Sequence, residues 1–211
     1  METGTSRRRG AALEDAILDA AWAELIEYGY TDMTLESVAQ RAGTSRPVLH
    51  RRWPSRTKVA TAALGRYLAL NPIEIPDLGS VGVEMSLFLR KLSDRARPDL
   101  LRLFFDMTGD LAEAKSNFAD VRAEITNGRL IHTILDRGIE RGEVDPGRLT
   151  PRIAALPTDL ARHQMLMTLE PLSDEVIREI VEEIFLPLVR RNPSATLIGA
   201  GVGSKIQHDQ R

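Results

Sequence analysis

The chain of 211 residues contains no cysteine. That excludes a disulfide scaffold and a thiolate nucleophile. No apolar run approaches the ~20 residues needed to span a bilayer. The N-terminal basic residues are not followed by an apolar h-region, so no signal peptide is expected. These absences lead to the expectation of a cytoplasmic protein with no membrane partner. Period-two alternation with β-branched enrichment is also missing, which leaves an all-α fold. The sequence has no phosphate loop, no dinucleotide fingerprint and no Gly-x-Ser-x-Gly elbow around Ser86, Ser93 or Ser116. His132, His163 and His208 are too scattered to suggest a metal site. No catalytic centre, metal or cofactor is therefore expected.

The most informative absence is local. Between Ser37 and Ile73 there is no acidic residue, while seven basic ones occur there: Arg41, Arg46, Arg51, Arg52, Arg56, Lys58 and Arg66. The net charge of −2 would by itself argue against a nucleic-acid partner. The sorting of charge reverses that reading, because a compact positive face is the electrostatic footprint of a DNA reader. The competing reading is a solvated basic surface, which does not explain the complete lack of acids.

What is present is helical. Residues 1–10 end in Arg7-Arg8-Arg9-Gly10 and read as a flexible basic arm. Leu13, Ile17, Ala21, Leu25 and Tyr28 then recur at helical spacing, with Gly29 as the stop. Thr34 is a natural N-cap for a second helix over 35–42, Gly43 makes a turn, and Ser45 is placed to cap a short third helix that tolerates Pro47 in its first turn. A fourth helix is expected from Ser55 to about Leu70, and the stretch from Asn71 to Gly79, with Pro72 and Pro76, reads as a linker. Further helices are expected over about 81–96, 98–109, 113–141, 150–168 and 173–190, with Pro157 and Pro187 kinking or ending theirs. The tail over 192–211, rich in Gly and Ser, is expected to be disordered.

The 34–53 segment fits a helix–turn–helix, whose second helix enters the major groove. Thr44, Ser45, Arg46 and Val48 are then placed to reach base edges, with arginine able to pair bidentately with guanine. His50, Arg51 and Arg52 lie further along and are better placed for phosphate. Arg56 and Lys58, in the first turn of the next helix, oppose the helix dipole, which makes sense where a phosphate approaches.

The segment from Ile17 to Lys58 resembles the TetR family of bacterial transcriptional regulators. The matching residues are Ile17-Leu18-Asp19-Ala20-Ala21, Gly29-Tyr30, Thr34, Val38-Ala39, Ala42-Gly43 and the stretch 44–56. The chain departs from the family pattern at Leu25, His50, Trp53 and Arg56, where phenylalanine, tyrosine, phenylalanine and lysine are usual. The resemblance implies a DNA-binding domain over 11–70, with Thr34 among its contacts, and a helical ligand-binding and dimerising domain over 79–191. It further implies a homodimeric repressor of an inverted-repeat operator, released by a small-molecule effector. A helical interaction module, or a small helical enzyme with a secondary DNA-binding head, stays open as the alternative.

In the C-terminal half, Leu100, Leu101, Phe104, Phe105 and Met107, faced by Phe118, Ile125 and Ile131, are the candidate effector pocket; plain core is the competing reading for each. Arg102, Asp106 and His132 could supply its polarity. The apolar faces of the last two helices, over 150–191, suit either an intramolecular core or a four-helix dimer interface. The resemblance favours the interface.

Overall fold

A computed structural model of the chain describes residues 10–96, 98–117, 119–121 and 129–190. Among these the structure is helical, and the only β pairing is an isolated bridge between Val144 and Arg190. Residues 1–9 of the basic arm, the tail over 192–211, Phe118 and Ile125 lie outside the described residues.

The N-terminal part is built from α1 (Ala11–Asp32), α2 (Leu35–Arg41), α3 (Arg46–His50) and α4 (Arg56–Leu70). Gly29 takes φ 79° and breaks the regular helix, so 30–32 form an extra turn rather than a continuation. A left-handed φ of this kind is where glycine is favoured. Thr34 closes a capping box: its Oγ1 accepts from the Ser37 N–H at 3.0 Å, and the Ser37 Oγ accepts from the Thr34 N–H at 3.1 Å. Gly43, at φ 65°, turns the chain between α2 and α3. Ser45 occupies the cap position of α3 but makes no side-chain capping bond, contrary to expectation. Leu49, fully buried, pins the short α3 to the core. Trp22 of α1 stacks on Tyr67 of α4, with ring centroids 4.1 Å apart.

The C-terminal part contains α5 (Val81–Arg95), α6 (Pro98–Asp106), α7 (Thr108–Glu113), α8 (Arg129–Glu140) and α9 (Pro151–Thr168). The last helix opens as α10 (Asp174–Arg178), widens to a π-helix over Glu179–Phe185 and closes as α11 (Leu186–Val189). The π turns end just before Pro187, which has no N–H to offer the ladder. Pro157 is buried inside α9, which does not end there.

Two expected helices are corrected. The 98–109 helix breaks at Met107 into α6 and α7. The long 113–141 helix is not continuous. Lys115 adopts φ 52°, and the Asn117 Oδ1 accepts from the N–H groups of Ala119 and Asp120. That is capping chemistry, which begins a helical segment instead of extending one. Periodicity alone does not register it, because the apolar spacing carries on across the break.

Two hydrophobic cores result. One joins α1–α4 to Leu103, Met107, Leu111 and Val121; the other joins α5, α8, α9 and the last helix, with Leu101. Helix α6 therefore contributes to both. Beneath the linker, the fully buried Glu84 accepts from Arg137 at 3.2 Å, from Arg141 at 3.0 Å and from the Leu78 N–H at 3.2 Å. Arg141 also reaches Asp77 at 2.8 Å, and Arg137 the Ile75 carbonyl at 3.1 Å, so the extended linker is tied down by α8.

Candidate nucleic-acid interface

The charge sorting seen in the sequence is partly undone in space. Arg41 pairs with the buried Glu24 at 2.6 Å and with Glu27 at 2.5 Å. Arg66 pairs with Asp15 at 2.6 Å and Asp19 at 3.1 Å. Arg52 pairs with Glu14 at 2.5 Å. The acids of α1, which precede the basic run in sequence, pack against it in the fold.

Arg56 is the clearest departure from expectation. Its Nε and Nη2 donate to the Asp110 Oδ2 of α7 at 3.1 and 3.0 Å, and its Nη1 donates to the Thr31 carbonyl at 2.9 Å. The guanidinium carbon also lies 4.4 Å from the centroid of the Tyr30 ring. The Tyr30 hydroxyl donates to the same Asp110 oxygen at 2.5 Å and lies 2.8 Å from the Thr57 Oγ1. Every nitrogen of the guanidinium is thus committed inside the protein. This geometry gives Arg56 partners within the chain that the phosphate expectation did not include: the opposing helix dipole is offset by a carboxylate of the chain itself.

Electrostatics agree. The hydrogen bond from Tyr30, then those from Arg56, hold the Asp110 carboxyl below its usual range. Burial, followed by the hydrogen bond to Asp110, pushes the Tyr30 phenol up to about 12. The Arg52–Glu14 pair has no such network around it: Arg52 is about as exposed as Arg56, Glu14 is half exposed, and surface pairs of this kind are worth about 0–1 kcal/mol.

What remains positive lies around α3. Among the described residues, Arg46, His50 and Arg51 are exposed and make no ion pair or side-chain hydrogen bond. Ser45 is exposed beside them, Thr44 and Val48 are half-buried, and Lys58 is exposed in the first turn of α4. The Thr34 Oγ1 accepts the capping bond of α2 and so shapes the turn.

Of the eight candidate pocket residues, the side chains described are those of Leu101, Phe104, Phe105, Met107 and Ile131, and these are not brought together. Met107, 2% exposed, packs in the N-terminal core, whereas Leu101 and Ile131 belong to the C-terminal one. Phe104 is half-buried and Phe105 is 49% exposed. Helix geometry is the reason: side chains two positions apart, such as Leu101 and Leu103, point to opposite sides of α6 and enter different cores. Leu100 lies in α6, and its side chain is outside the described residues. Among the described residues no cluster of His, Asp or Glu fits a metal ion, and no helix is long and apolar enough to cross a membrane.

The partners of Arg56 that sequence reasoning missed are Tyr30 and Asp110. Arg56, in a stretch with no acid of its own, had to find a partner far along the chain, but nothing singled out Asp110 among the many candidates.

Comparison with known proteins is consistent with this architecture. Residues 17–63 match the N-terminal model of the bacterial regulatory proteins of the tetR family, and residues 75–184 match a tetracyclin repressor-like C-terminal domain. The HTH-type transcriptional regulator AqdR of Rhodococcus erythropolis is 34% identical over 65% of this chain and 66% of its own length. The DNA-binding transcriptional repressor TetR of Mycobacteroides abscessus is 24% identical over 86% of this chain and 96% of its own length. Among solved structures, a TetR family transcription regulator superposes with a TM-score of 0.66 at 20% identity, covering 82% of this chain and 96% of that one. A TetR transcription regulator from Haloarcula marismortui gives 0.59 at 20% identity, covering 86% and 100%. The chain belongs to the tetR family: it is a DNA-binding transcription regulator and not an enzyme.

Proposed function

We propose that the chain is a cytoplasmic homodimeric repressor that reads an inverted-repeat operator with α3. The observation that carries this reading is the unpartnered set Arg46, His50 and Arg51 in an N-terminal head whose other arginines are ion-paired. Arg46, with Ser45 and Thr44, faces base edges; His50, Arg51, Arg52 and Lys58 serve phosphates. Two heads must sit about 34–36 Å apart to meet successive major grooves. The last two helices supply the dimer face, for which Met167, Ile184 and Leu188 are exposed apolar side chains. An apolar effector would act on the C-terminal core near Leu101 and Ile131, the two pocket candidates that belong to it.

In-vitro selection from a random DNA pool, followed by a gel shift against mixed-sequence competitor, tests the reading. If Arg51, Arg52 and Lys58 of two heads each neutralise one phosphate, log affinity falls against log salt with a slope of roughly −5. Selection that returns no inverted repeat, or binding indifferent to salt, refutes the proposal.

A further inference from the structure

We infer that Asp110, acting through Arg56 and Tyr30, is a positioning residue for operator binding: it fixes the angle between head and body. The inference rests on the two-headed reading above. Asp110 lies in α7, on the C-terminal side of the linker, yet its carboxylate collects the Tyr30 hydroxyl from the end of α1 and two guanidinium nitrogens from the start of α4. These are the two longest helices of the head, and α3 hangs between α2 and α4.

The surrounding packing makes the junction a bridge instead of a surface pair. Leu103, Met107 and Leu111, from α6 and α7, enter the head core, while Leu101, earlier on α6, enters the body core. Asp110 therefore reports the place of the body to the head. Arg56 suits the task because a planar guanidinium can bind in several fixed directions at once, which a lysine ammonium cannot. Here those directions are Asp110, the Thr31 carbonyl and the face of Tyr30.

A residue that sets the angle between head and body affects a two-headed complex and leaves a single head's grip untouched. The test compares the selected full inverted repeat with a duplex carrying one half-site, for wild type, Asp110→Asn, Tyr30→Phe and Arg56→Ala, at a temperature where all four are folded by circular dichroism. Asp110→Asn is expected to weaken full-site binding roughly tenfold, the scale of one lost hydrogen bond to a charged group, and to leave half-site binding unchanged. Tyr30→Phe should behave likewise, and combining it with Asp110→Asn should cost little more than either alone. Arg56→Ala should lose full-site affinity while keeping the wild-type salt slope.

Four results overturn the inference. A slope flattened by about 0.9 per head in Arg56→Ala makes Arg56 a phosphate contact. Equal losses on full and half sites make the junction part of head folding. Tighter binding by Asp110→Asn makes Asp110 a competitor of DNA. A wild type that binds both duplexes alike removes the two-headed reading itself, an outcome separate from the other three.

Discussion

Gly138→Ala is the sharpest probe of how the C-terminal domain is packed. A Cβ at position 138 of α8 would lie 2.1 Å from the Val81 Cγ2 and 2.9 Å from the Val144 Cγ2. Favourable carbon–carbon separations are about 3.5–4.0 Å, so Val81 must retreat by more than an ångström. It has little room to do so. Val81 and Val144 are both buried, valine is stiff at χ1, and the Val81 N–H is held by the Glu143 Oε2 at 3.0 Å. Two effects oppose each other. Alanine is better than glycine in a helix by about 1 kcal/mol. Overpacking a rigid core costs about 1–3 kcal/mol, and a contact this short falls at the upper end. The net expectation is a loss of about 2 kcal/mol, or a melting temperature lower by about 4–8 °C for a chain of this size. Thermal melts followed by circular dichroism measure it. Val81→Ala should restore part of the loss when combined with Gly138→Ala, because it removes the group being struck. A Gly138→Ala protein that melts at or above wild type would show that helix propensity wins and that the α5–α8 contact is soft.

Three further expectations concern other parts of the molecule. Arg46→Ala should relax sequence preference at one or two operator positions by about 1–3 kcal/mol, read by repeating the DNA selection; an unchanged consensus rules out base contact by Arg46. Ile184→Glu, on the exposed face of the last helix, should give monomers by light scattering with the head still folded, and a variant that stays dimeric moves the interface elsewhere. Glu84→Ala should cost about 3–5 kcal/mol in chemical denaturation, since it leaves Arg137 and Arg141 without their buried partner; a loss below about 1 kcal/mol would mean that Asp77 and Glu143 suffice.

The head was largely legible in the sequence. Apolar spacing, Gly29, Thr34 and Gly43 each act through local chemistry, and local chemistry is what a sequence displays directly. The C-terminal domain was less legible. Its restart at Asn117 is made by capping bonds, and both that restart and the break at Met107 lie within an apolar pattern that never pauses. The described pocket candidates divide between the two cores, which their spacing in the sequence does not show. Phe104 is half-buried and Phe105 faces solvent, on a helix shared by two cores.

The charge run shows a subtler limit, and the pH dependence of the junction exposes it. An acid-free stretch says that no partner is close in sequence; it says nothing about partners close in space. Arg56 was read as waiting for phosphate, and it is held by Asp110 and Tyr30. The two readings differ in how stability depends on pH. The Asp110 carboxyl is depressed in the fold, so its contribution is present above its ordinary value of 3.8 and is lost as pH falls through the lower folded value. The Tyr30 phenol is raised from 10.0 to about 12, so the fold favours its neutral form; that contribution is present below pH 10 and is lost as pH rises toward 12. Trp22 and Trp53, the only two tryptophans, both lie in the head, so their fluorescence reports its unfolding alone. Wild type should therefore show a fluorescence-detected loss of stability between pH 10 and 12 that Tyr30→Phe lacks, and a loss below pH 4 that Asp110→Asn lacks. If both variants keep the wild-type pH profile, the triad contributes nothing to the head, and Arg56 returns to the list of phosphate contacts.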